Sequence, residues 1–110
     1  MSAYDRSKLV ELFGGDPSTI AAVEREFYDT ARDVAREIAA TEDLGTIARA
    51  AHRLKGASGM IGAAPLHAIA EAVERAAKAQ DLDQVRGLHD RFCGEVVKVA
   101  EQAGLPAEQL

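Results

Sequence analysis

Apolar residues recur at spacings of three and four along most of the chain, which is the period of a helix with one face against a core. The pattern divides into one short and four longer segments. The short segment carries Leu9, Val10 and Phe13 and ends at Gly14-Gly15. The apolar positions of the longer segments are Ile20, Val23, Phe27, Ala31, Val34 and Ile38; Leu44, Ile47, Ala51, Leu54 and Ser58; Leu66, Ile69, Ala70, Val73 and Ala77; and Leu82, Val85, Leu88, Phe92, Val96 and Val99. No stretch alternates with a period of two, so strands are not expected.

Turn and cap signals separate these segments. Asp16-Pro17 is typical of a helix start, since aspartate caps the first turn and proline fits within it. The other boundaries are Thr41-Glu42-Asp43, Ala64-Pro65, Gln80-Asp81 and Gly104-Leu105-Pro106. Four amphipathic helices with short connections predict an all-α, up-down four-helix bundle. The short extra N-terminal helix is expected to cover one end, and residues 1–110 to form a single domain.

Composition narrows the class of protein. With 47% apolar and 28% charged residues, the chain is expected to be soluble and globular. A net charge of -5 without a basic stripe argues against nucleic-acid binding. No signal core or apolar run of about 18 residues is present, so we expect a cytoplasmic protein without a membrane span. Cys93 is the only cysteine, which excludes an internal disulfide and a cysteine metal cluster; it is interpreted as a packing residue or, alternatively, a reactive thiol.

Residues 52–63 depart from the helix-forming composition around them. Gly56, Gly59 and Gly62 recur beside His52 and Lys55, although each glycine inside a helix costs about 1 kcal/mol relative to alanine. Two explanations are open. The glycines leave room for another molecule to approach His52, or they allow close packing between helices, the latter being considered for Gly59 and Gly62.

A helical wheel places His52 roughly 110° from the centre of the apolar face, with Lys55 and Gly56 one turn further on the same surface. Leu54 and Ser58 turn toward the core instead. A neutral imidazole is a nucleophile, lysine attracts a phosphoryl group, and glycine leaves space for a partner. The set fits an exposed phosphorylatable histidine, whereas the simpler interpretation is a solvated surface histidine beside ordinary surface charges.

The segment resembles the signature of histidine-containing phosphotransfer (HPt) domains, His-x-Leu-Lys-Gly-x-Ser followed by Gly-Ala. The matching residues are His52, Leu54, Lys55, Gly56, Ser58, Gly62 and Ala63. The resemblance extends over nearly the whole chain and implies a four-helix bundle in a two-component phosphorelay.

The resemblance also implies functions for individual residues. His52 is the expected phosphoacceptor, Lys55 stabilises the phosphoryl group, and Gly56 provides steric clearance. Glu74 lies where the family often places a hydrogen-bond partner of the imidazole; the alternative is a solvated carboxylate. Lys78 is expected to add a weaker positive charge near the site.

Partners and cofactors follow from the same resemblance. His52 would accept a phosphoryl group from a receiver domain of a hybrid histidine kinase and pass it to the receiver domain of a response regulator. No cofactor or metal is expected in this chain, because Mg²⁺ would be supplied by the receiver. The protein is expected to be a monomeric, stoichiometric intermediate without ATP binding or autokinase activity.

Two other functions compete with this interpretation. A non-phosphorylated adaptor would bind receiver domains through the same surface, and a small helical enzyme would use His52 as a general base in a concave pocket. Met60 and Ile61 are candidates for partner docking, or else complete the core. His67 and His89 are expected to be structural or surface residues.

Overall fold

The computed structural model describes residues 2–107, and this part of the chain contains five α-helices and no strands. The helices are α1 (Arg6–Phe13), α2 (Pro17–Ala40), α3 (Leu44–Met60), α4 (Ala64–Lys78) and α5 (Leu82–Ala103). The predicted all-α class is confirmed. Within the described residues, no helix has the length and apolar character needed to cross a membrane.

Aspartate side chains cap the N-termini of three of the long helices. Asp16, Asp43 and Asp81 each accept a hydrogen bond from the backbone N–H three residues later, at 3.0–3.1 Å. These bonds satisfy N–H groups that have no partner within the helix. The cap at Asp16 agrees with the sequence prediction, because an N-cap depends on residues adjacent in the chain.

Three-residue connections, 41–43, 61–63 and 79–81, join the long helices and reverse the chain each time. In the resulting bundle α3 lies between α2 and α4, and α5 closes the ring by packing against α4 and α2. The predicted up-down topology is confirmed. The apolar stripes meet in one core that includes Phe27, Ile47, Leu54, Val73 and Phe92, all at least nine-tenths buried.

The N-terminal segment covers the bundle differently from the prediction. Leu9 is buried, but Val10 and Phe13 remain exposed, because α1 packs mainly against α2 and turns its other side outward. Ala3 and Tyr4, which precede the helix, are buried together with Leu9. The Tyr4 hydroxyl donates a hydrogen bond to the buried carboxylate of Glu24, and burial together with this carboxylate raises the pKa of Tyr4.

Arg86 links α5 to α2 at the end of the bundle opposite the N-terminal segment. From the second turn of α5 its guanidinium donates to the backbone carbonyls of Ile38, at 2.7 Å, and Thr41, at 2.5 Å. Carbonyls at a helix C-terminus have no partner within the helix and carry partial negative charge. One side chain therefore closes the end of α2 and fixes α5 against it.

Replacing Arg86 with alanine is expected to lower the free energy of unfolding by about 2 kcal/mol, since charged hydrogen bonds to two carbonyls are lost. Urea unfolding followed by circular dichroism measures this change. Arg91→Ala, at an exposed position on the same helix, is the matched control and is expected to change stability by less than about 0.5 kcal/mol. Equal effects of the two substitutions would contradict the assignment.

Candidate functional site

His52 lies in the middle of α3 with its side chain 66% exposed. Its neighbours Ala51 and Leu54 are completely buried, as is Ser58. The apolar period of α3 therefore turns Leu54 and Ser58 inward, as predicted, and leaves the imidazole on the surface. The ring is held at this place by contacts with α4.

Glu74 on α4 contacts three nitrogen-bearing side chains of the site. Its Oε2 lies 2.9 Å from Nδ1 of His52 and 3.0 Å from Nζ of Lys78. Its Oε1 lies 2.8 Å from Nζ of Lys55. The Glu74 side chain is only 4% exposed, so the carboxylate is buried under these three nitrogens and is not a solvated surface group.

Two helices supply these nitrogens with simple spacing. His52 and Lys55 are one turn apart on α3, while Glu74 and Lys78 are four residues apart on α4. Such pairs share one face of their helix. The buried carboxylate thus lies at the boundary between α3 and α4, with cationic or hydrogen-bonding groups from both sides.

The neighbouring cations lower the pKa of Glu74 to about 2. The largest cause is the hydrogen bond from Lys55; burial opposes the shift, and Lys78 and His52 add to it. Glu74 is therefore ionised at neutral pH and can only accept a hydrogen bond. The proton of a neutral His52 ring is thereby assigned to Nδ1, which leaves the lone pair on Nε2.

The surface beside His52 is open. Apart from its chain neighbours and the backbone of its own helix, no heavy atom of residues 2–107 lies within 4 Å of the position that a Cβ at Gly56 would take. On the other side an open groove of about 430 Å³ is lined by Ala48, Arg49, His52, Arg53, Glu74 and Lys78. His52 therefore borders a shallow depression and does not lie deep in a cleft.

Positive charge predominates around this groove although the whole chain carries a net charge of -5. The carboxylate of Glu37 pairs with Arg53 at 3.0 Å, and Glu74 is shared between two lysines. Arg49 adds a further cation at the rim. The region is suited to an anionic group or an acidic partner surface.

Gly59 and Gly62 have a structural explanation that Gly56 lacks. A Cβ at Gly59 would lie 3.3 Å from Nδ1 of His67, so the glycine makes room for that ring. Gly62 has a φ of +71° and a Cβ there would lie 2.8 Å from the Cβ of Asp5. The packing interpretation of these two glycines is thus supported by the geometry.

The remaining candidate residues do not contact Glu74. Ile61 is 5% exposed, which supports the core alternative for this residue, whereas Met60 is 60% exposed. Cys93 is half-buried with Sγ 3.3 Å from Nε2 of His89, and burial raises the pKa of its thiol. In residues 2–107 no group of three or more side chains is arranged to hold a metal ion.

Sequence reasoning underestimated two residues. Lys78 is a full partner of Glu74, and the four-residue spacing between them was the available signal. His67 donates from Nδ1 to the backbone carbonyl of Lys55 at 2.9 Å. A backbone acceptor leaves no mark in the sequence, so nothing in the motif indicated this contact.

Glu74→Gln is expected to lower the free energy of unfolding by about 2 kcal/mol at pH 7, because hydrogen bonds to a charged carboxylate are weakened. The folded pKa of about 2 lies below the ordinary value of 4.5. The unfolded chain therefore binds the proton first, and the stabilisation is present above about pH 4.5 and lost as pH falls toward 2. Urea unfolding across this range should show the difference between wild type and variant shrinking.

Glu71→Gln is the control for that series. It removes a carboxylate one turn earlier on α4, whose ion pair with Arg75 at 3.2 Å is exposed, and exposed pairs contribute less than about 1 kcal/mol. A wild-type-minus-Glu74→Gln difference that stayed constant down to pH 2 would refute the assignment of the ionised, cation-bound carboxylate.

Comparison with known proteins identifies the family of the chain. The family model described as the Hpt domain matches residues 20–103, which span α2 to α5 and include the whole cluster around Glu74. Neither the search of curated proteins nor the search of solved structures found a match. Because the matched region covers most of the chain, the protein belongs to the Hpt domain family, the histidine phosphotransfer modules of two-component phosphorelays.

Proposed function

We propose that His52 accepts a phosphoryl group from the aspartate of one receiver domain, in a hybrid histidine kinase, and passes it to a receiver domain of a response regulator. The observation that carries this proposal is the state of the imidazole: it is 66% exposed while a buried carboxylate engages its Nδ1. A nucleophile for a macromolecular partner must be accessible and oriented, and both conditions are met here.

The proposed step needs no proton to leave the ring. The lone pair of Nε2 attacks phosphorus of the aspartyl phosphate, the N–P bond forms, and the P–O bond to the aspartate breaks. The electron pair of that bond leaves with the aspartate carboxylate. The proton stays on Nδ1, 2.9 Å from Glu74, and the carboxylate stabilises the positive charge that the phosphorylated ring acquires. Return of the phosphoryl group to a second aspartate is the reverse reaction.

Charge stabilisation is divided between this chain and its partner. Lys55 and Lys78 together carry more charge than Glu74 neutralises, so the surface retains positive potential for the phosphoryl oxygens. Phosphoryl transfer depends mainly on positioning and electrostatics. The Mg²⁺ of the reaction is assigned to the receiver domain, and this chain contributes the nucleophile and the lysines.

Gly56 and the surface beyond it are proposed as the docking area for the receiver. Each partner in a standard interface buries about 800 Å², equivalent to a disc of about 16 Å radius. Met60 lies about 12 Å further along α3 than His52 at 1.5 Å per residue. A receiver centred on His52 can therefore extend along α3 as far as Met60, which borders an apolar groove of about 340 Å³ together with Phe13, Phe27 and their neighbours.

In this function the protein is a stoichiometric carrier and not a turnover enzyme. Each His52 holds one phosphoryl group and requires a second receiver to become free again. A non-phosphorylated adaptor would use the same surface but would not need the Nδ1 contact to Glu74. Binding and transfer must therefore be measured separately.

His52→Ala is expected to abolish acid-labile labelling when the protein is incubated with a phosphorylated receiver domain, because the nucleophile is removed. In the wild type, NMR of the labelled protein should locate the phosphoryl group on Nε2. His89→Ala, on α5, where the ring contacts Cys93, is the control and is expected to be labelled normally. Receiver binding without labelling of the wild type would favour the adaptor, and labelled His52→Ala would move the acceptor elsewhere.

Gly56→Leu separates docking from folding. Leucine is a better helix former, so the variant is expected to gain about 0.5–1 kcal/mol in stability, and among the described residues nothing outside its own helix backbone and chain neighbours lies within 4 Å of the new Cβ. Transfer from the receiver should nevertheless fall by at least about tenfold, because the side chain projects into the partner's path. Stopped labelling reactions and urea unfolding measure the two effects.

Gly94→Leu is the matched control, since Gly94 is an exposed glycine of α5 whose Cβ position is likewise free of contacts within 4 Å in the described part of the chain. It should show the same gain in stability with an unchanged transfer rate. A wild-type transfer rate for Gly56→Leu would remove steric clearance from the proposal.

A further inference from the structure

Lys55 is held by α4 at two points. Its ammonium contacts Glu74 at 2.8 Å, and its backbone carbonyl accepts a hydrogen bond from Nδ1 of His67 at 2.9 Å. His67 and Glu74 are seven residues apart, which is close to two helical turns, so both project from the same face of α4. This face therefore determines where the backbone of Lys55 lies as well as where its charge lies.

The His67 contact depends on a gap in α3. Gly59 lies one turn after Lys55, and a Cβ there would lie 3.3 Å from Nδ1 and 3.6 Å from Cε1 of the His67 ring. The carbonyl of Lys55 has two lone pairs, one of which is directed at the N–H of Gly59 in an α-helix. His67 uses the remaining acceptor capacity, and the missing side chain at Gly59 lets it do so.

We propose that His67 is a positioning residue for phosphotransfer, acting through Lys55. The inference rests on the proposed function of His52. Lysine has a long, flexible side chain, and here Glu74 holds its ammonium at 2.8 Å while His67 holds its backbone carbonyl at 2.9 Å, so both ends of the side chain are fixed relative to α4. The His67 bond fixes the turn of α3 that carries Lys55 beside His52. Displacements of about 1 Å in such an arrangement can reduce rates up to 100-fold.

The competing explanation is that the His67 contact only stabilises the packing of α3 against α4. Substitutions of similar shape distinguish this explanation from a positioning function. His67→Asn places an amide N–H near the position of the imidazole Nδ1–H, whereas His67→Leu fills similar space without a donor. His89→Leu applies the same change to a histidine of α5, whose contact is with Cys93. Transfer rates from a phosphorylated receiver are compared at a temperature where every variant is folded.

The decisive measurement is a double-mutant cycle with Lys55→Ala. We expect His67→Leu to slow transfer about tenfold in the wild-type background, His67→Asn to restore most of the rate, and His89→Leu to leave it unchanged. In the Lys55→Ala background, His67→Leu should cause no further slowing. If the His67 contact only stabilised helix packing, His67→Leu would lower the transfer rate by the same factor in both backgrounds.

The outcomes separate this inference from the proposed function. If the wild type takes no label from any receiver, the proposed function fails. If the wild type is labelled while His67→Leu transfers at the normal rate, or slows transfer equally with and without Lys55, only the positioning function of His67 is overturned. Failure of His67→Asn to improve on His67→Leu would also overturn it.

Discussion

The arrangement of the site depends on one buried charge, the carboxylate of Glu74. An ionised group removed from water is strongly unfavourable unless ion pairs and hydrogen bonds replace its hydration. Here His52 and Lys55 come from α3 and Lys78 from α4, all within 3.0 Å. Satisfying the carboxylate therefore requires a particular rotation of α3 against α4. The same requirement brings a nucleophilic ring and two ammonium groups together at an otherwise ordinary helix surface.

The three glycines of residues 52–63 have different structural surroundings, although they look alike in the sequence. Gly56 borders empty space, Gly59 accommodates the ring of His67, and Gly62 combines a positive φ with close approach to Asp5. Two of them thus serve the packing of this chain on itself. Gly56 differs from these two because no described atom would contact a Cβ there, and this difference is the basis for the proposal that it provides clearance for a partner.

Helix boundaries could be predicted because caps such as Asp16 and the apolar period are local properties of the chain. Whether a given apolar side chain is exposed was harder to predict. Val10 and Phe13 share a helical pattern with Leu9, but the pattern does not show whether another element covers that face. The burial of Glu74 stayed open because it depends on lysines from two helices. His67 was missed as a partner of Lys55 for a similar reason, since its acceptor is a main-chain oxygen brought near by tertiary packing.

The three-residue connection 61–63 has a consequence for how the site withstands fluctuations. His52 and Glu74 are 22 residues apart, whereas Arg86 and Ile38, at the end of the bundle opposite α1, are 48 residues apart. The entropy of loop closure grows with the logarithm of this separation, so the α3–α4 hairpin brings its ends together at lower entropic cost. Such contiguous hairpins commonly open and close as one cooperative unit. We therefore expect fraying of α1 or of the last turn of α5 to leave the contacts of Glu74 with His52, Lys55 and Lys78 intact.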